Sequence, residues 1–331
     1  MAGEGAFHIL ISRISAVIHR LFLRSFVALI SFPAPASAGR WGRRLGRWAW
    51  ILLARDRRRA MSQLRRLDPA LSPATRRSLS QRNFIHLGEV LVTGCSLAAR
   101  SGGNPLLDDA QLGIEIENRH AFMERVRELC EESGVIGVSG HLGAWELAGA
   151  ATGIEGYPIL AKRYQDPVEQ ALVEGIRRRL GIRPIYQDQS LMRVIRLLRD
   201  QQMVSMLVDL DIRAMDGVHV PLFGEDAHTT AAPAKLALRT GSVLLPYFLI
   251  KGPGKKYRFE WEDPIQIGEA ESNLAEEDQI LELTRRMNQA IERAIRRHPE
   301  QWVWMHLRWR STPEVIRERK SRERTGETAN S

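Results

Sequence analysis

The stretch Val135-Ile136-Gly137-Val138-Ser139-Gly140-His141-Leu142-Gly143-Ala144-Trp145-Glu146 decides how the chain folds. Its first five residues form a short apolar run rich in Val and Ile, the pattern of a buried strand. Glycines at 140 and 143 punctuate a turn, and Trp145-Glu146-Leu147-Ala148-Gly149-Ala150 opens a helix. His141 therefore stands where a strand gives way to a helix, the usual place for a site in an open α/β sheet. On a single helix, residues five apart point about 140° away from each other. His141 and Glu146 can meet only if His141 lies in the turn and the helix carries Glu146 back past it. Gly140, Gly143 and Ala144 keep that return free of bulky side chains. A carboxylate touching the ring would fix its tautomer and steady the imidazolium formed when it takes a proton, which is what a general base needs. The alternative is a turn histidine bonded to backbone, with Glu146 on a solvated helix face.

Working outward, strand and helix signals alternate. A helix over 76–98 carries Leu79, Phe84, Leu87 and Leu91 as a candidate buried face. A helix over 118–133 carries Phe122, Val126 and Leu129 and leads into the central strand. Downstream come a strand over 157–161 and a helix that Asp166-Pro167 opens and that runs through 179. A strand over 182–185, a helix over 190–202 and a strand over 203–208 follow. Strands separated by helices of this length imply parallel pairing, hence an α/β fold with a mainly parallel central sheet flanked by helices.

Composition bounds the rest. A hydrophobic content of 44% over 331 residues is enough to bury the core of one α/β domain with appended helices. The net charge of +9 suits nucleic acid, an anionic membrane or an acidic carrier protein. Arginines are scattered through every segment and no recognition motif is present, which argues against nucleic acid. The two cysteines, Cys95 and Cys130, have no C-x-x-C spacing, so neither a disulfide framework nor a thiolate zinc site is expected. With no His-Glu-x-x-His, no metal is implied, and with no G-x-S-x-G there is no serine nucleophile elbow. No cofactor is expected.

The N-terminal region is apolar but interrupted. Arg13, His19, Arg20 and Arg24 break residues 7–32, leaving no run of roughly 20 uncharged residues to span a bilayer. One reading is a basic amphipathic helix lying in the membrane interface. A second is a signal peptide with Ala36-Ser37-Ala38 as cleavage site, and a third is a surface helix packed on its own domain. The interface reading is preferred, because Arg40, Arg43, Arg44 and Arg47 accompany Trp41, Trp48 and Trp50. We divide the chain into a membrane-interface segment (1–54), a catalytic domain (55–311) and a polar, unfolded tail (312–331).

Further candidates lie downstream. Asp209-Leu210-Asp211 closes a strand at its carboxyl end, where an aspartate either reaches a site or caps a turn. Arg163 follows a strand and can hold a phosphate, and Arg177, Arg178 and Arg179 cluster at a helix end, where cations are favoured in any case. Thr229 to Gly241, which contains Arg239, reads as a capped helix with a glycine stop. Trp302, Trp304 and Trp309 stand among basic residues, either to grip a headgroup or carrier or to pack a core.

Several of these segments resemble the bacterial lipid A late acyltransferases, also described as a lysophospholipid acyltransferase family. Gly140-His141-Leu142-Gly143-Ala144-Trp145-Glu146-Leu147 is similar to that family's His-x4-Asp/Glu signature. Val218 to Gly224, Ala234 to Gly241 and Pro299 to Trp309 are similar to its later segments, and the likeness runs from about residue 55 to about residue 310. Ala144 stands where many relatives have Asn, and Leu210 where Gln is common. The resemblance implies a glycerolipid-acyltransferase-like fold with an N-terminal membrane-associated helical segment. It implies an O-acyltransferase on the cytoplasmic face of the cell inner membrane. The donor would be acyl-carrier protein or acyl-CoA, and the acceptor a hydroxyl of a glycolipid such as a lipid A precursor. His141 and Glu146 would be catalytic, while Arg163, Arg177, Asp209 and Arg239 would bind substrate or support the site. A glycerolipid acyltransferase or a thioester hydrolase on the same fold is the alternative.

Overall fold

The strand read at 135–139 lies inside a seven-stranded sheet in the computed structural model, which describes residues 19–101, 114–154, 156–186, 191–211, 216–254 and 256–315. The strands are β1 (Glu115–Ile116), β2 (Val135–Ser139), β3 (Tyr157–Ala161), β4 (Ile182–Tyr186), β5 (Met203–Leu207), β6 (Gly217–Leu222), β7 (Glu225–Thr230), β8 (Val243–Lys251) and β9 (Lys256–Trp261). The helices are α1 (19–31), α2 (Pro35–Leu52), α3 (Ala54–Leu67), α4 (Pro73–Arg100), α5 (Arg119–Glu132), α6 (Trp145–Thr152), α7 (Pro167–Arg179), α8 (Leu191–Arg199), α9 (Ala232–Thr240) and α10 (Glu276–Arg297). The sheet order is β1-β9-β8-β2-β5-β3-β4, while β6 and β7 form a separate antiparallel hairpin. From β8 through β4 the strands are parallel; β9 runs against β8, so the expected mainly parallel sheet is present with a reversed edge.

Side chains alternate across the sheet, as a period of two requires. Ile136, Val138, Val204, Met206, Leu244 and Phe248 face one layer, built from α3, α8, α9, α10 and the hairpin. Val135, Met203, Val243, Leu245 and Tyr247 face the other, where α5 and α6 pack. Phe122, Val126 and Leu129 are the buried stripe of α5, as their spacing predicts.

Two readings of the sequence, the start of one helix and the buried face of another, are revised by the structure. Thr229 and Thr230 finish β7 instead of capping a helix, because they pair with Val218 and Gly217 of the hairpin. Helix α9 begins only at Ala232 and ends as expected at Gly241, with φ 70°. On α4, Leu79 and Phe84 are buried but Leu91 is exposed, while the polar Asn83, His86 and Glu89 lie inside. The reason is that α4 is packed on more than one side. Gly42 and Gly46 of α2 cross it at Gly88 so closely that a Cβ on Gly42 would stand 2.4 Å from the Gly88 carbonyl oxygen. Glu89 takes Arg43 of α2 at 2.6 Å and Lys251 of β8 at 3.4 Å, which compensates a buried charge. His86 meets the central turn, its Nε2 lying 3.1 Å from the Gly143 carbonyl.

Among the described residues no helix is long and apolar enough to cross a membrane. One face of α2 packs on α4 through Ala38, Gly42, Gly46 and Trp50. The opposite face exposes Trp41, Trp48, Ile51 and Leu52, with Leu29 and Phe32 exposed just before it. Packing on its own domain and presenting a Trp/Arg surface are thus two faces of one helix. Residues 1–18 and 316–331, which include much of the expected interface segment and tail, lie outside the described residues.

Burial lowers the His86 pKa from 6.5 to about 4; the bond to Gly143 opposes this shift and the Lys251 charge adds to it. Between those pH values the unfolded chain binds a proton that the folded chain refuses, so stability falls as the solution is acidified. We expect His86 to cost about 2 kcal/mol of unfolding free energy between pH 7 and pH 5. Urea titrations at the two pH values check this, and the loss attributable to this group should vanish in His86→Gln.

Candidate active site

The site grows from strand register. In the parallel pair β2–β5, Ser139 stands opposite Leu207. Two residues further along each strand, His141 and Asp209 stand opposite each other beyond the sheet's carboxyl edge. The His141 Nδ1 lies 2.8 Å from Asp209 Oδ1, and the His141 backbone N–H donates to Asp209 Oδ2 at 2.7 Å. The Trp302 indole N–H donates to the same Oδ2 at 2.8 Å. Gly140 makes room for this arrangement, since a Cβ there would stand 3.0 Å from Asp209 Oδ2. With Nδ1 held by the carboxylate, Nε2 of His141 is left to act on a substrate.

The acid beside the histidine ring is therefore Asp209, which corrects the assignment of that contact to Glu146. Gly143 takes φ +65°, with its Cα so close to the Leu249 carbonyl that a Cβ would stand 2.2 Å from that oxygen. Leu142 also forms an isolated bridge to Trp302. The turn thus leaves the His141 ring against Trp145, 5.4 Å between ring centres. Glu146, in the first turn of α6, faces α7 instead, where Arg177 meets it with two bonds of 2.8 and 3.2 Å. A paired guanidinium and carboxylate is a strong, oriented contact, and Glu146 still lies close enough to His141 for its charge to be felt.

Burial opposes a charge on His141. The Asp209 charge and hydrogen bond, with help from Glu146, overcome that and leave its pKa raised above 6.5. Burial likewise opposes ionisation of Asp209. The His141 charge and hydrogen bonds and the Trp302 indole outweigh it and hold the carboxyl well below the usual carboxylate range. The pair is thus a base whose protonated form the site stabilises.

His141 opens onto a cavity of about 560 Å³ between the sheet and helices α6 and α7. Its lining includes the apolar Gly149, Ile159, Leu160, Ile182, Met206 and Leu207. Tyr157, Ser205 and Tyr247 also line it, and their hydroxyls bond to one another at 2.6 to 3.1 Å. Near His141 the lining turns polar, with Lys162, Arg163, Arg177, Arg310 and His306 alongside Glu146. An apolar chain fits the inner wall and an anionic or polar group fits the mouth.

Of the residues expected from the sequence, His141, Glu146, Arg163 and Arg177 line this cavity, and Asp209 sits immediately beneath His141. Arg163 lies over the Tyr186 ring at 3.9 Å. Arg239 is not among them. It occupies the last turn of α9, just before Val243 begins β8, and so stands at the opposite edge of the sheet from His141. A cation there complements the helix C-terminus.

The C-terminal segment read as a tryptophan-rich run similar to the family's ending, with headgroup contact and core packing both open. In the fold, Trp302 and Trp304 are fully buried, so packing, and not headgroup contact, explains them. The segment is clamped across the cavity. Asn83 donates to the Glu300 and Trp302 carbonyls, and Gln63 to those of Trp304 and His306. Buried Arg308 donates to the His228 carbonyl and Thr229 hydroxyl, and Asp211 accepts from the backbones of Arg310 and Ser311. Trp302 and His306 are the site residues that spacing did not reveal.

Residues 7–311 match the family described as bacterial lipid A biosynthesis acyltransferase. The chain belongs to that family. It is an acyltransferase of lipid A biosynthesis, and the match includes the N-terminal segment, beyond the region where the sequence resemblance was expected to begin. A similar protein is the lipid A biosynthesis lauroyltransferase of Escherichia coli (strain K12), 25% identical over 286 residues, covering 84% of this chain and 86% of the relative.

If His141 acts as a base, it must be neutral to accept a proton, so the acid limb of kcat/KM is expected above pH 6.5. Asp209→Asn should lower kcat by about 10⁴-fold, the scale seen when a triad loses its orienting acid, and shift the limb to lower pH. Glu146→Gln should shift it in the same direction by less. A pH series of initial rates for the three proteins measures both effects.

Proposed function

We propose that this acyltransferase moves a fatty acyl group from a thioester of acyl-carrier protein, or of coenzyme A, to a hydroxyl of a lipid A precursor. The observation that carries this reading is the His141–Asp209 pair at the mouth of a cavity with an apolar inner wall. His141 Nε2 takes the proton of the acceptor hydroxyl as its oxygen attacks the thioester carbonyl carbon. Asp209 holds the ring in the required tautomer and balances the imidazolium, with Trp302 and the His141 backbone fixing the carboxylate in turn. The carbonyl bond re-forms as sulfur leaves, and His141 returns the proton to the thiolate. A thioester is already activated, so no acyl-enzyme is needed.

The acyl chain occupies the inner cavity and the lipid phosphates or the carrier's phosphopantetheine face Lys162, Arg163 and Arg310. Glu146 and Arg177 act together as a braced wall at the entrance, with Glu146 adding negative charge near His141. In this reading the exposed Trp41, Trp48 and neighbouring arginines rest on an anionic bilayer, and the enzyme works at the cytoplasmic face of the inner membrane, where a lipid acceptor is presented. The 1–54 segment serves as this membrane contact and 55–311 as the catalytic body.

Radiolabelled acyl-carrier-protein thioester incubated with a lipid A precursor tests the reaction: label should move to the lipid, and His141→Ala should lower the rate by about 10²–10⁴-fold. Label released only as free fatty acid would favour a hydrolase, and transfer to lysophospholipid alone a glycerolipid acyltransferase. Ile159→Trp fills the inner wall and should shift preference toward shorter acyl donors, read by competition between thioesters of different length. Trp41→Ala with Trp48→Ala should weaken co-sedimentation with phosphatidylglycerol vesicles while leaving transfer to a detergent-dispersed acceptor intact.

A further inference from the structure

Acyl transfer needs a donor for the carbonyl oxygen as well as a base for the hydroxyl. When the acceptor oxygen adds to the thioester carbon, the C=O electron pair moves onto oxygen, and preorganised N–H groups aimed at that charge lower the barrier. Turns that follow a strand often supply these from the backbone. Here several amides of the turn are already committed: the His141 N–H to Asp209, the Gly143 N–H to the Gln301 carbonyl and the Ala144 N–H to the Leu249 carbonyl. The nearby guanidinium of Arg177 is held by Glu146, and Arg310 Nη2 by the Asp211 carbonyl. A cavity-lining side chain with an uncommitted N–H beside His141 is then well placed to supply the donor.

We propose that His306 is a catalytic residue that donates its ring N–H to the oxyanion of the tetrahedral intermediate. Its ring lines the cavity and lies 5.3 Å from the His141 ring, centre to centre, tilted by 45°. A tetrahedral carbon carries its entering oxygen and its oxyanion side by side, so the base for one and the donor for the other must be neighbours on the same cavity wall. Neither ring nitrogen of His306 has a hydrogen-bond partner among the described residues. Its backbone is nonetheless held, with Gln63 and the Arg308 N–H both donating to its carbonyl. The backbone that carries the ring is thus anchored, and the ring N–H is unspent among the described residues.

The charge state suits this role. Although the residue as a whole is exposed, the cavity wall desolvates its ring, and this with the neighbouring His141 charge lowers the His306 pKa below 6.5, against a smaller opposing pull from Asp209. His306 then stays neutral while His141 becomes imidazolium, so two positive rings never face each other. In the full step, the hydroxyl proton passes to His141 and the acceptor oxygen forms its bond to carbon. The displaced pair rests on the oxygen facing His306. On collapse that pair re-forms C=O, the C–S pair leaves with sulfur, and the His141 proton goes to the thiolate. His306 ends unchanged.

The proposal rests on the acyl-transfer reading, and the experiment separates their failures. Full-length enzyme in detergent micelles is assayed with lauroyl-acyl-carrier protein and a lipid A precursor. His306→Ala should lower kcat by about 10²–10³-fold with little change in KM. His306→Gln retains an N–H donor but cannot shuttle a proton, and should recover most of that loss. An acyl trifluoromethyl ketone, which forms a tetrahedral adduct, should lose affinity for His306→Ala far more than the thioester does. Equal loss in the Ala and Gln variants, or unchanged affinity for the ketone, overturns the donor role. If His141→Ala matches the native enzyme, the acyl-transfer reading itself falls, whatever His306 does.

Discussion

Asp209 is almost wholly buried, yet the His141 charge and the hydrogen bonds it accepts hold its carboxyl well below the usual carboxylate range, and each of those bonds comes from a group the site depends on. It accepts from the His141 ring, the His141 backbone and the Trp302 indole. A buried carboxylate stripped of such partners costs several kcal/mol, so these groups hold each other in place. Through Trp302 the bond network reaches the C-terminal segment, and through the His141 backbone it reaches the end of β2. One carboxylate therefore ties together the parallel sheet, the turn that follows β2 and the segment that carries Trp302.

The scaffold around this contact is rigid for identifiable reasons. Helix α4 touches α2 through opposed glycines and the turn through His86, and its Asn83 holds the segment containing Trp302. The exposed Trp/Arg face of α2 is thus linked to the catalytic turn by closely packed backbone. In the reading proposed above, this fixes the height of the cavity mouth relative to a bilayer.

Much of this was legible from residue types. Alternating apolar runs and helical stripes foretold the sheet and helix α5, and the glycine-flanked His141 marked the strand-to-helix junction. The pairing of His141 was not. Spacing within one segment pointed to Glu146, whereas the nearer acid arrives from a strand adjacent in space and distant in sequence. Likewise Arg239 read as a site residue from local likeness, although α9 leads into the far edge of the sheet. His306 lay within the segment that resembles the family's ending, but nothing in its spacing pointed to His141.

The sequence by itself determined the α/β pattern and put His141 at a strand-to-helix junction, because hydrophobic periodicity and turn chemistry are local properties of the chain, and likeness of short motifs pointed to the family. Only the tertiary structure decided which carboxylate holds that histidine, which arginines reach the cavity and which second imidazole stands beside it. Those outcomes depend on strand order and register, and register is set by the summed burial of whole strand faces, which no single segment encodes.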